Sequence, residues 1–550
     1  MNNDGEIDFR GTLKNTGNSI ALDTSGGVFL LDGGVIDGGT IDGTTAGSVI
    51  TCVNSPAENV LDGVTLNIGL VSLPSPIPTP VPFLTVVDGL TLNGTATLSD
   101  GSALEFTGTE TLGGAGQFVF GKAVQSFGTT IDNQIESVGY NPDGSVATLT
   151  IGPSITITGQ SLSIVHQNYF GGGGAIINQG LISSGGSIVT YGNLDNQGTL
   201  RATSGSTLDF SGLTNEGTIE AQGGTVHLLG YIALHAGSSL MMSGNGEIDV
   251  RGTLDNTGST INLDTSGGRF VVQGGTLQGG TITASSGSKI VFAGYSQILG
   301  GHSVPEGLQS TLNGVTINVD LDVTYAGETV TVLNGLTLNG TATLDNGGQL
   351  YFTGTQELAG AATIAFGPDS AKNNQVIIGN QSSANVATLT LGPSVRVTGR
   401  NEGFYQPPPG PPGSPAGVGA LVNLGTIEPD SGGSITMALK SFDNAGTVYV
   451  NPATLNVSGD FTQESTGSLT VGIGGLVAGS QLGQVNVKGR ATLGGTLNTS
   501  LLRSESGTGS ILINKVVSSL RSQNDLGARR MAHSQMTWIA RRSGDGRAAH

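Results

Sequence analysis

The chain repeats itself. Gly5-Glu-Ile-Asp-Phe-Arg-Gly-Thr-Leu-Lys-Asn-Thr-Gly17 returns 241 residues later as Gly246-Glu-Ile-Asp-Val-Arg-Gly-Thr-Leu-Asp-Asn-Thr-Gly258. The run Gly89 to Leu98 likewise returns at Gly335 to Leu344, and Val146 to Gly159 at Val386 to Gly399. Inside these long copies runs a shorter beat, marked by Asn-X-Gly at Asn15, Asn178, Asn196, Asn215, Asn256, Asn423 and Asn444. Neighbouring marks lie 18 residues apart (178 to 196), 19 (196 to 215) and 21 (423 to 444). A unit this short has no room for a βαβ element or a propeller blade, but it suits three short strands and three turns, one coil of a solenoid. Such a coil buries its apolar side only by stacking on its neighbours, through parallel pairing at about 4.8 Å per coil.

Alternation points the same way. In Thr91-Leu-Asn-Gly-Thr-Ala-Thr-Leu98 and Ser154-Ile-Thr-Ile-Thr-Gly159 every second residue is apolar, the period of a strand with one buried face. The 93 glycines follow no collagen period, and only 11% of residues are charged and 5% aromatic. That composition suits many strands between tight turns better than a compact enzyme core. The expected fold is therefore all-β, a right-handed parallel β-helix with coils of about 20 residues. Asn two positions before Gly suits a corner that enters left-handed φ. Two readings of these Asn stay open: a side-chain ladder along the solenoid, or separate turns with no ladder.

Charge excludes some partners. Residues 1–502 carry 13 Lys and Arg against 37 Asp and Glu, whereas 503–550 carry 8 against 3. An acidic body repels nucleic acid and anionic lipid, so neither is an expected partner. Acidity also keeps a long apolar-cored solenoid soluble. Cys52 is the only cysteine and lies in the apolar run Val49-Ile-Thr-Cys-Val53, which reads as a buried small hydrophobe rather than a nucleophile. No segment has the apolar length of a membrane span, and no signal sequence follows Met1, which aligns instead with Met242 in mid-array.

Two loops leave the beat. Pro74, Pro76, Pro78, Pro80 and Pro82 alternate with small residues, and Gln406-Pro-Pro-Pro-Gly-Pro-Pro-Gly-Ser-Pro415 stands where the first copy has Gly171 to Gly174. Both read as stiffened surface loops, with a polyproline docking peptide as the competing reading.

The search for chemistry returns little. Asp32, Asp37 and Asp42 are the best local set of carboxylates, yet the second copy has Gln273, Gln278 and Thr283 in their places, so they read as solvated turn acids. The same stretch lacks the nine-residue period of a calcium-binding array. His166, His227, His235, His302, His533 and His550 show no metal-ligand spacing, and no Gly-X-Ser-X-Gly precedes a helix. Glycine pairs are turn residues, because no helix follows to cradle phosphate. Thr148/Thr150 and Thr388/Thr390 do not recur on every coil, as a flat ice-binding face would require. No catalytic, cofactor-binding or metal-binding residue is assigned.

The runs Gly459-Asp-Phe-Thr-Gln-Glu-Ser-Thr-Gly-Ser-Leu-Thr-Val471 and Gln484-Val-Asn-Val-Lys-Gly-Arg-Ala-Thr-Leu-Gly-Gly-Thr-Leu-Asn-Thr-Ser-Leu501 resemble the closing module of bacterial autotransporter-type and filamentous-haemagglutinin-like surface proteins. The resemblance implies a β-helix passenger on or outside the cell surface, commonly adhesive, and carries over no catalytic residue. The translocator barrel of an autotransporter is missing from the sequence. On this reading 1–240 is the first copy, 241–458 the second, 459–501 the closing module and 502–550 a basic, disordered tail. The expected function is an extracellular or cell-surface adhesive scaffold, non-catalytic, with glycans or host surface proteins as partners. A carbohydrate-active β-helix enzyme and a passive spacer are the alternatives; the enzyme would need two carboxylates converging from neighbouring coils.

Overall fold

A computed structural model of the chain describes residues 5–45, 47–53, 57–72, 84–98, 101–126, 129–141, 143–165, 174–264, 267–284, 287–294, 297–299, 302–304, 309–368, 373–380, 385–407, 417–475 and 477–501. The loop Pro74 to Pro82, most of the loop after Gln406, and the tail beyond Leu501 lie outside them. Among the described residues every regular element is a strand and none a helix. The fold is a parallel β-solenoid, as the repeat predicts. Two small antiparallel hairpins depart from it, Val124–Ser126 with Thr129–Ile131 and Gln297–Leu299 with His302–Val304. The chain divides into two compact units, Met1–Ser288 and Lys289–His550.

In the first unit each coil contributes three strand segments, and each segment pairs with its counterpart one coil later. The result is three inward columns. Leu208, Val226, Ile248 and Phe270 form one, Leu213, Ile232, Leu254 and Leu277 the second, and Leu200, Ile219, Leu240 and Leu263 the third. All twelve side chains are buried. Strand alternation turns every second residue inward, and parallel pairing, in register within each segment and shifting only at bends such as Phe210/Gly212, places like on like. Burying each such side chain contributes about 1.5–3 kcal/mol, so the stack is stabilised along its whole length rather than at one centre. The second unit is built alike: Val376, Phe404, Met437 and Val457 stack, as do Leu389, Leu421, Phe442 and Phe461, and Ile364, Val397, Ile427 and Val448.

The Asn marks settle the open question in favour of a ladder at five of the seven positions. Asn178 Nδ2 donates to Asn196 Oδ1 at 2.7 Å, and Asn196 Nδ2 donates to Asn215 Oδ1 at 2.6 Å. In the second unit Asn423 Nδ2 donates to Asn444 Oδ1 at 2.7 Å, and Asn444 Nδ2 donates to Gln463 Oε1 at 2.9 Å. These Asn are wholly buried. A primary amide suits the place because it carries donors and an acceptor on one planar group, so each rung of amides serves the next. Asn15 and Asn256 are buried too, but their Nδ2 groups donate to the backbone carbonyls of Thr40 and Thr281 instead.

Glycine is required where turns stack. Gly280 has φ of +62°, and a Cβ there would lie 1.9 Å from the Asn256 carbonyl oxygen of the coil before. Loop insertions leave the pairing intact: Phe118 pairs with Ile157 across a much longer coil than Ile176 with Leu194. Extra length leaves at a corner and returns to the same register, since a corner insertion costs little closure entropy.

Candidate functional site

Asp32, Asp37 and Asp42 do not converge. They fall on successive segments of one coil and are splayed to different sides. Asp32 and Asp8 are bridged by the Arg10 guanidinium at 2.8 Å each. Asp37 accepts the Thr16 hydroxyl at 3.3 Å. Asp42 accepts Asn67 Nδ2 at 2.6 Å and the Ser19 hydroxyl, and these bonds hold its pKa below the ordinary carboxylate value. They are therefore bonded to their neighbours rather than simply solvated, and they form no acid–base pair.

Stacking does gather another set. Asp37 is in register with Asp62, and Asp88 and Glu110 continue the same corner on the next coils. Burial, then Asp88, then Asp37 push the Asp62 carboxyl up. Burial also pushes Glu110 up, against the Asp88 and Gly89 amides that its carboxylate accepts. At the matching positions the second copy carries the amides Gln278, Asn313, Asn334 and Gln356, and there Asn334 Nδ2 donates to Asn313 Oδ1 at 2.7 Å. Because amides fill the same role, the corner needs stacking polar groups rather than carboxylate chemistry.

The richest constellation is one that spacing along the sequence did not reveal. Asp209, His227 and Asp249 occupy one outward column on three successive coils, in the strands Thr207–Asn215, Thr225–Leu234 and Glu247–Val250. His227 Nδ1 lies 2.6 Å from Asp209 Oδ1. Asp249 is buried, only 1% exposed, and its Oδ2 accepts Arg251 Nε at 2.6 Å. Its Oδ1 is buried with no hydrogen-bond partner. Burial pushes the Asp249 carboxyl up, opposed in part by Arg251 and His227. In the neighbouring column of the same face, Arg269 pairs with Glu247 at 3.5 Å. The usable signal was the coil step itself: 209, 227 and 249 each advance by about one coil.

Elsewhere the chemistry is sparse. His235 faces Glu216 at 3.3 Å, and His166, His533 and His550 lie outside the described residues. Among the described residues no group of three His, Cys, Asp or Glu is placed to hold a metal ion. An open groove of about 510 Å³ beside Gln406 is lined by Val418, Ala438, Leu439, Lys440 and Ser458, with no carboxylate in it.

Cys52 is fully buried, and burial pushes its thiol up to about 12. The thiolate is the reactive form. Native protein should therefore leave Cys52 unlabelled by a thiol-specific disulfide reagent at pH 8 over hours, and label it at once in denaturant; rapid native labelling would contradict the burial. Glu328 is buried against Ser310, whose hydroxyl donates to Oε1 at 3.0 Å, and burial pushes its carboxyl from the ordinary 4.5 up to about 7. Since folding raises this pKa, the stability linked to it is complete below about pH 4.5 and is lost as pH rises through about 7. Glu328→Gln is expected to remove that fall, giving a flatter melting temperature between pH 5 and 8 than the parent; equal slopes would show that Glu328 is not the group.

No protein-family description, curated protein sequence or solved structure matches this chain.

Proposed function

We propose that the chain is a non-catalytic extracellular or cell-surface scaffold that binds glycans or host surface proteins through its outward faces and corner loops. One observation carries the reading: its polar groups are spent along the solenoid, on the coil above or below. The buried amide ladders Asn178–Asn196–Asn215 and Asn423–Asn444–Gln463 are the clearest case. Side chains committed to each other hold a shape and present a regular surface. The resemblance of residues 459–501 to a surface-protein closing module supports the location. Incubating the full chain with glycan and matrix-protein arrays, and reading retention and cleavage from the same wells, tests it. Retention without cleavage is the expected result; cleavage overturns the non-catalytic reading, and neither favours a passive spacer.

A second reading has its own observation. Asp209 and Asp249 flank His227 on successive coils beside Arg251, the residue types an acid–base site on a polysaccharide needs. Burial of Asp249 beneath its Arg weighs against substrate reaching it. Cleavage in the array that is abolished by Asp209→Asn would establish this second reading.

A further inference from the structure

We propose that Asp209, His227 and Asp249 form a proton-operated clasp across three successive coils, in which doubly protonated His227 donates to both carboxylates at once. Half of the clasp is closed already, with His227 Nδ1 2.6 Å from Asp209 Oδ1. The other half is unsatisfied: Asp249 Oδ1 is buried without a partner, in the strand directly in register with that of His227. A buried acceptor left without a donor costs about 1–3 kcal/mol, more when it is charged. A neutral imidazole has one N–H to give, and an imidazolium has two. A hydronium ion gives the second proton to Nε2 and leaves as water; no nitrogen of the resting ring is within 4.0 Å of an Asp249 oxygen, so closure turns the protonated ring toward Asp249 Oδ1, the acceptor without a donor.

The surrounding charges fit a local device. From the coil before, Asp209 is the facing group; from the coil after come Asp249, Glu247 and Arg251, and from the next Arg269, which is paired with Glu247. Glu220, on the strand preceding His227, is engaged by Arg201 at 2.7 Å on a different column. Along its own column His227 is flanked by Asp209 and Asp249. Because the clasp joins coils through side chains, its closure tightens the parallel pairing of Thr207–Asn215, Thr225–Leu234 and Glu247–Val250 and leaves the inward columns untouched.

Hydrogen exchange of the full chain tests it, with each rate divided by its intrinsic rate at that pH. Amides of those three strands are expected to be about tenfold better protected at pH 5 than at pH 8, the size of one charge-assisted hydrogen bond. Amides of Thr426, Ile427 and Glu428, in the other unit, serve as the control in a Glu328→Gln background, which removes the pH dependence of Glu328, and are expected to stay unchanged. His227→Gln, which carries its donors on one nitrogen and gains no proton between pH 5 and 8, should abolish the difference, and Asp249→Asn should do the same. Persistence of the difference in His227→Gln would place the proton on Asp249 itself and overturn the clasp. Should the variants fold poorly, nitrogen chemical shifts of His227 in the parent chain decide: an imidazolium at pH 5 with both N–H groups hydrogen-bonded is expected, and a neutral ring at pH 5 refutes the proposal.

Discussion

Asn196→Asp is expected to lower the unfolding free energy of the first unit by about 3–5 kcal/mol, the cost of leaving a buried charge without a compensating partner. Asn196 is the middle member of its ladder, accepting from Asn178 at 2.7 Å and donating to Asn215 at 2.6 Å. An aspartate of the same shape still accepts from Asn178. It has nothing to donate, so Asn215 Oδ1 loses its donor and faces a carboxylate instead. Asn196→Ala strands one donor and one acceptor at about 1–3 kcal/mol each, about 2–6 kcal/mol together, and should destabilise to a similar degree. Asn93→Ala is the comparison, because Asn93 Nδ2 donates to Asn67 Oδ1 at 2.7 Å in an exposed ladder where water replaces the lost partner. Its effect is expected to stay within about 1 kcal/mol. Stacked coils depart from two-state unfolding, so exchange protection of Ala175–Asn178 and Thr199–Ala202 reads the loss more directly than a global melt. Equal effects of the buried and exposed variants would mean that the buried ladder contributes no more than a surface turn.

Phe442→Ala should cost about 3–5 kcal/mol, the range for deleting a buried phenyl ring from a packed core. Phe442 stacks between Leu421 and Phe461 in one inward column, with ring centroids of Phe442 and Phe461 5.5 Å apart. Both rings are essentially inaccessible to solvent. The coils above and below are held by their own pairing and cannot close over the void, so the cavity persists. Phe442→Leu keeps most of the volume and should cost well under half as much. Exchange protection of Ser441–Asn444 and Asp460–Gln463 in the full chain measures both. A loss of under about 1 kcal/mol for the alanine variant would show that the column collapses around the gap.

The solenoid was legible because its instructions are local. A coil of about 20 residues, strands with alternate apolar positions and turns with Gly are each written within a short window, and stacking like coils needs nothing further. Cys52 could be placed for the same reason, since its apolar run already implied burial. The Asn-X-Gly marks were legible as corners, but whether their side chains join was not. That depends on whether the corner Asn of one coil lies directly above that of the next, as Asn178 and Asn196 do and as Asn256 does not with any Asn.

The candidate site was the least legible part. Asp32, Asp37 and Asp42 look clustered because each lies five positions from the next, yet in a coil that spacing carries them to different sides. Asp209, His227 and Asp249 look scattered and share one column. The sequence by itself determined the coil length, the parallel stacking and the apolar columns, all of which follow from period and alternation. Only the tertiary structure decided which outward side chains meet. The step from 209 to 227 is shorter than that from 227 to 249, because bends and corner loops vary in length while the paired positions still meet. Outward neighbours are set by that register, one coil above and below, and no fixed interval in the sequence encodes it.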